Sequence, residues 1–247
     1  MKKSATVVFY GSLNDFLPAS KRGQPLRYAF AGSPAVKDAL EAIRVPHPEV
    51  DVLLVNRKAV GLYYALQASD DVAVYPAKWC SLFPDSRSVR YGLEVPDRFV
   101  LDVHLGRLAR SLRMLGFDSA YRTDYTDQEI ACIAVSENRI ALTRDIGLLK
   151  QKAIQWGYWL RSQHLEAQLQ EVLDYFDLKP KALPFTRCLV CNGPIGEVAK
   201  EQVLAQLPPK TRQYFTVFYQ CQSCSRVYWK GSHYDRMQAF LQRSLSC

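Results

Sequence analysis

"FVLDVHLGRLARSLRMLGFD", residues 99–118, decides the fold. Phe99 to Leu101 form a short apolar run and Asp102 closes it. A helix follows, with Leu105, Leu108, Ala109, Leu112 and Leu115 on one face at helical spacing. A strand that hands over to an amphipathic helix is the unit of an α/β protein, and in such sheets ligands and catalytic groups collect at the carboxyl ends of strands. Asp102 therefore stands where chemistry is expected. Arg107, Arg110 and Arg113 lie beside the apolar face at intervals of three, which reads as a solvated flank or as a stripe of phosphate contacts.

The same grammar recurs downstream. In "RTDYTDQEIACIAVSENR", residues 122–139, Thr126 and Glu129 make a capping box before a helix whose core face includes Ile130, Ile133 and Ala134; Cys132 is expected to pack within that helix. In "RIALTRDIGLL", residues 139–149, Ile140 to Leu142 read as a buried strand followed by Asp145, a helix cap or part of a site. Asp127 and Glu129 sit in a first helical turn, where the dipole favours carboxylates without any function. Asp124 fits an ordinary turn or a site, and Arg144 either contacts phosphate or screens the acids.

Upstream, residues 5 to 78 alternate strand and helix signals. "ATVVFYG" and "LRYAFAG" look like a hairpin, Ser33 with Pro34 opens a helix bearing Val36, Leu40 and Ile43, and "DVLLVN" and "DVAVYP" supply later strands. "SLFPDSRSVRYGLEVPDR", residues 81–98, is rich in Pro, Gly, Ser and charge and suits a linker.

Downstream, "CLVC" at 188–191 and "CQSC" at 221–224 offer four thiolates in two tight turns, which fits tetrahedral structural zinc held by Cys188, Cys191, Cys221 and Cys224. The long gap between the pairs calls for an inserted helix near "EVAKEQVLAQL". Cys80, Cys132 and Cys247 have no partner pattern. After the second pair, Tyr228, Trp229 and Tyr234 interleave with Arg226, Lys230, His233 and Arg236, a mixture that can stack bases and contact phosphates, or that simply covers the zinc site.

The chain has 247 residues, 48% of them hydrophobic, and a net charge of +8. Residues 178–247 alone hold 10 basic and 3 acidic groups, whereas residues 97–177 are slightly acidic. An acidic middle beside a basic tail suits a site that gathers cations next to a surface that attracts a polyanion. No stretch reaches the roughly 18 apolar residues of a membrane span, and no signal peptide is recognisable, so a cytoplasmic protein is expected.

"FVLDVHLGRLARSLRMLGFDSAYR", "TDQEIACIA", "RIALTRDIGLL" and "RCLVCN…CQSCSRVYWKGSHYDRM" together resemble, in order, the C-terminal RNase domain family of the Mut-seven exonuclease. The first region, residues 5 to 78, resembles β-grasp sulfur carriers, although "VYPAKWC" stands where a carrier needs a terminal Gly-Gly, so carrier chemistry is excluded. The resemblance implies an α/β PIN-like nuclease domain at 98–180, a zinc ribbon and basic tail at 181–247, an α+β ubiquitin-like β-grasp domain at 1–80, and a linker at 81–97. It also implies a metal-dependent ribonuclease. Asp102, Asp127 and Asp145, with Glu129 and Asp124 as further candidates, would bind Mg²⁺ or Mn²⁺. RNA would be held by Arg107, Arg110, Arg113, Arg144, Arg226, Trp229, Lys230, His233 and Arg236, and the β-grasp domain would be free for a protein partner. The competing reading is a non-catalytic RNA-binding or adaptor protein whose acids only cap helices.

Overall fold

A computed structural model describes residues 3–77, 88–90 and 92–246. Cys80, Cys247 and residues 81–87 and 91 of the expected linker lie outside the described residues. The described chain divides into two compact units. The first comprises residues up to Pro96 together with Ala134–Trp159, and the second comprises Asp97–Ile133 and the residues from Leu160 onward.

In chain order the elements are β1 (Lys3–Phe9), β2 (Leu26–Phe30), α1 (Val36–Ala42), β3 (Val50–Val55), β4 (Lys58–Ala59), β5 (Asp71–Pro76), β6 (Phe99–Leu101), α2 (Gly106–Met114), β7 (Ser119–Ala120), α3 (Asp127–Ser136), β8 (Ile140–Thr143), α4 (Ile146–Leu149), β9 (Gly157–Trp159), α5 (Leu165–Tyr175), β10 (Ile195–Val198), α6 (Lys200–Val203), α7 (Pro209–Tyr214), β11 (Phe218–Cys221), β12 (Val227–Tyr228) and α8 (Ser232–Ser246).

The first unit contains the expected β-grasp. Its sheet runs β2-β1-β5-β3-β4, with β1 and β2 antiparallel and β1 and β5 parallel. Alternation sets one face inward: Ala5, Val7 and Phe9 of β1, and Val72 and Val74 of β5, are buried against Val36 and Leu40 of α1. α1 starts at Val36 behind an uncapped Ala35, two residues after Pro34. The parallel pair β8–β9 and its short helix α4 belong to this unit. Glu49, 0% exposed, accepts from the Trp159 backbone N–H at 2.6 Å; His47 bonds the Ile154 carbonyl at 2.8 Å; and the Phe16 and Trp159 rings lie 5.1 Å apart. Arg90 is tied down here as well, donating to the Pro48 and Val50 carbonyls and stacking over Trp156.

The second unit opens on β6 and α2, the strand and helix that residues 99–118 predict, and on β7, which pairs parallel with β6. Leu105, Leu108, Ala109, Leu112 and Leu115 are all buried. The helix ends where it does because of Gly116. Its φ of 93° is left-handed, its N–H reaches the Arg113 carbonyl and the Phe117 N–H reaches that of Leu112, the bond pair of a Schellman ending. The ribbon sheet β10-β11-β12 is antiparallel and belongs to the same compact unit. α6 and α7 fill the long gap between the cysteine pairs, and Val203 and Leu207 bury against Phe218.

In α3, Ile130 and Ala134 are buried as expected, with Ala131 beside them, while Ile133 is only half-buried. Cys132 is exposed, contrary to expectation, because its position on the helix turns outward between those buried residues.

Candidate functional site

The sulfurs of Cys188, Cys191, Cys221 and Cys224 all lie within 4.8 Å of one another, with Cys188 to Cys224 at 3.6 Å and Cys191 to Cys221 at 3.4 Å. Four sulfurs around one zinc at about 2.3 Å stand roughly 3.8 Å apart, so the tetrad is compatible with a structural zinc site. Each Cys-x-x-Cys is built the same way. The residue after the second cysteine is left-handed, Asn192 at φ 70° and Ser225 at φ 57°, and its N–H returns to the carbonyl of the first cysteine. The turned backbone then aims N–H groups at sulfur, Gly193 to Cys191 and Ser223 to Cys221, both at 3.4 Å. Gly193 is obligatory: a Cβ there would collide with Ser223 Oγ and come within 3.0 Å of Cys221 Sγ.

Electrostatics point the same way. Burial pushes the Cys191 thiol up to about 12, and the neighbouring cysteines add to it. At Cys188 burial is outweighed by the Cys191 N–H and the Tyr228 hydroxyl, which sits 3.0 Å from the sulfur, and the thiol is brought down to about 6. Four thiolates this close ionise together only when a cation offsets them.

Arg113 corrects the expected arginine stripe. It is 5% exposed and points inward. It donates to the Ser119 carbonyl at 2.8 and 3.0 Å, and to the Val190 carbonyl, inside the first cysteine turn, at 2.9 Å. It braces the ribbon against β7 and cannot contact phosphate. Asn192 completes the joint, accepting from the Ser119 N–H and donating to Asp118. Sequence reasoning missed this joint because its partners lie more than seventy residues apart. A hint was present: the Met114 and Leu112 neighbours of Arg113 are core residues, so the arginine sits at the edge of the buried face rather than opposite it.

The other arginines converge. Arg107 and Arg110 of α2, Arg226 before β12, and His233 and Arg236 of α8 line one cavity of about 870 Å³, with Trp229, Phe215 and Phe240 among its walls. Arg236 donates to His233 Nδ1 at 2.9 Å, which leaves Nε2 as the ring's donor. Lys230 lines an adjoining cavity instead. Arg144 is exposed on the first unit, its carbonyl accepting from the Trp159 indole.

The carboxylates are placed individually. Asp102 ends β6 at 7% exposure and accepts from the His104 N–H. Asp127 is the exposed first residue of α3. Glu129 completes the capping box, accepting from the Thr126 N–H at 2.7 Å and its hydroxyl at 2.8 Å, bonds that hold its carboxyl below the usual range. Asp124 pairs with Arg122 through two bonds, which lower it likewise. Asp145 caps α4, accepting from the Gly147 N–H at 2.7 Å. Among the described residues, the four cysteines are the only group of three or more His, Cys, Asp or Glu whose ligand atoms converge.

An α/β unit with an integral four-cysteine ribbon, carried with a ubiquitin-like β-grasp, defines the class. The chain belongs to the Mut7-C RNAse domain family, whose model matches residues 97–241, and a Mut7-C ubiquitin model matches residues 2–80. The family's description suggests a nuclease-like function in general. Two crystal structures of small archaeal modifier protein 1 from Haloferax volcanii are similar to part of the chain. One is 18% identical, over 30% of this chain and 97% of its own, with a TM-score of 0.25; the other is 22% identical, over 30% and 93%, with a TM-score of 0.25. A search of curated proteins finds no match. No helix among the described residues is long and apolar enough to cross a membrane.

Proposed function

We propose that this chain is a metal-dependent ribonuclease that hydrolyses RNA phosphodiester bonds on a PIN-like α/β domain and holds its substrate on the basic face of the zinc ribbon. The observation that carries the reading is the convergence of Arg107, Arg110, Arg226 and Arg236, from three separate elements, on one groove with a half-buried tryptophan. Several guanidinium groups with an aromatic wall suit a single-stranded polyanion with bases to stack.

Asp102 supports the hydrolytic half. It precedes the helix that bears Arg107 and Arg110, so one strand-to-helix turn links acid to phosphate contacts. Carboxylate oxygens are the donors that Mg²⁺ or Mn²⁺ prefers, and by the family resemblance Asp102 and Asp127 of the second unit would be ligands of the ion. When bound, such an ion polarises the phosphodiester and lowers the pKa of an attacking water. The arginines orient the phosphate, Trp229 stacks a base, and His233 presents its Nε2–H to an oxygen of the substrate. Cys188, Cys191, Cys221 and Cys224 would hold a zinc through four thiolates, and a zinc held so would stiffen the ribbon and take no part in the hydrolysis. In the first unit, the β-grasp offers a surface for a protein partner.

A second reading, a non-catalytic RNA-binding adaptor, is favoured by the structural bonds that Asp124, Glu129 and Asp145 already make. Labelled single-stranded RNA incubated with the zinc-loaded chain separates the two. The nuclease requires binding under all conditions and cleavage only when Mn²⁺ or Mg²⁺ is added. Binding with no cleavage in either metal makes the chain an adaptor, and absence of binding removes RNA from both readings.

A further inference from the structure

We infer that the cavity adjoining the arginine groove is a nucleobase pocket, which takes one unstacked base of the bound strand while the arginines hold the flanking phosphates. The inference rests on the RNA-binding reading above and adds a specific subsite to it.

The cavity measures about 340 Å³, and Phe185, Tyr219, Tyr228, Trp229 and Tyr234 give its wall five aromatic rings, with Met237 beside them. That is the small end of ligand cavities, room for one base and not for a helix. All six of these side chains are half-buried, screened from bulk water yet reachable. Tyr228, Trp229, Tyr234 and Met237 also line the arginine groove, so the two spaces share a wall.

The rings are held in place from outside the cavity. Tyr219 and Tyr228 are cross-strand partners, and the Tyr228 hydroxyl is fixed on Cys188 Sγ. Trp229 packs on the small core formed by Val203, Leu207 and Phe218. Phe185 is left-handed at φ 63°, a conformation that a bulky residue adopts only under constraint, and its ring lies 4.6 Å from that of Tyr234. Rings positioned in this way form a preorganised stacking surface, and stacking on aromatic side chains is how single-stranded nucleic acids are gripped without sequence readout. Lys230, an exposed residue of the lining, sits 5.6 Å from the Tyr234 ring centre and adds a cation beside the rings. Glu197 supplies the cavity's carboxylate, an acceptor-only group that suits a base edge bearing donors, best met by the adjacent N1–H and N2–H₂ of guanine.

The test uses the full chain with zinc bound, catalytic metal omitted, and a labelled eight-nucleotide RNA in which a single abasic site is moved through each position. One position is expected to lose about tenfold or more in affinity, with its neighbours nearly unaffected, and Tyr234→Leu should lower affinity for the intact RNA by a similar factor while leaving the salt dependence unchanged. Equal, small losses at every position overturn the pocket even though RNA binds, and if Tyr234→Leu fails to fold the abasic series on the wild-type chain decides alone. The RNA-binding reading fails separately. If no RNA binds, guanosine monophosphate is compared with inorganic phosphate by ligand-observed NMR: binding of the nucleotide only, lost in Tyr234→Leu, keeps the pocket as a mononucleotide site, and no binding of either overturns it.

Discussion

Arg113 carries the sharpest lesson at the scale of single residues. Its neighbours in the sequence, Arg107 and Arg110, are solvent-facing, and a spacing of three could not reveal that the third arginine turns inward to bind the carbonyls of Ser119 and Val190. Arg113→Met keeps the bulk and removes the donors, leaving buried carbonyls unpaired, so it is expected to cost roughly 3 kcal/mol and to weaken zinc retention. Thermal melts with and without chelator measure both, and an unchanged melting temperature would place the ribbon joint elsewhere. His47 gives a pH dependence. Burial, at 4% exposure, holds its imidazole down to about 4 from 6.5; its Nε2–H donates to the Ile154 carbonyl, so the neutral ring turns Nδ1 as an acceptor towards Glu41 at 2.8 Å, whose carboxyl burial raises. Below 6.5 the unfolded chain takes up a proton that folded His47 refuses. The stabilisation, roughly 3 kcal/mol at most, is therefore complete above pH 6.5 and lost as pH falls towards 4. Urea titrations at pH 7 and pH 4.5 should show a smaller acid loss in His47→Gln; equal losses would contradict the assignment.

At the scale of elements, the two cysteine turns and the strands they precede act as one piece. Cys191→Ser removes one thiolate from a closed set, and the expected result is zinc content well below one per chain, a loosened β10–β12 sheet, and unchanged folding of the β-grasp. Full zinc occupancy would contradict the four-thiolate assignment. The basic face of the ribbon makes a separable contribution. Replacing Arg226, Lys230 and Arg236 together should flatten the salt dependence of RNA binding by up to about 2 in slope, at roughly 0.7 per phosphate contact on a single strand. An unchanged slope would remove this face from the binding surface. Much of this was legible beforehand. The tight Cys-x-x-Cys spacing, the Thr126–Glu129 box and the apolar face of α2 are local patterns, and local patterns survive in sequence. The Tyr228–Cys188 contact and the inward turn of Arg113 depend on pairings across dozens of residues, which no periodicity records.

For the whole molecule, the division into units explains what the sequence order concealed. Residues 134–159 follow the α/β helices in sequence yet pack with the β-grasp, because Glu49, His47 and Phe16 supply the bonds and the ring that bury Trp159 and Ile154. The β-grasp is thus a scaffold for the segment that bears Asp145. The carboxylates were legible as residue types at strand and helix ends, but their roles were not, since a cap and a ligand begin from the same aspartate. The central claim, hydrolysis of RNA through an acidic site beside a basic ribbon, rests most directly on Asp102, the buried acid at the end of β6. The deciding measurement is the rate of cleavage of labelled single-stranded RNA in Mn²⁺ by the zinc-loaded chain and by its Asp102→Asn variant, whose RNA affinity is measured alongside. Loss of cleavage by about a hundredfold or more, with binding retained, is the result predicted for a residue that holds the catalytic ion; cleavage at the wild-type rate by Asp102→Asn would contradict the account.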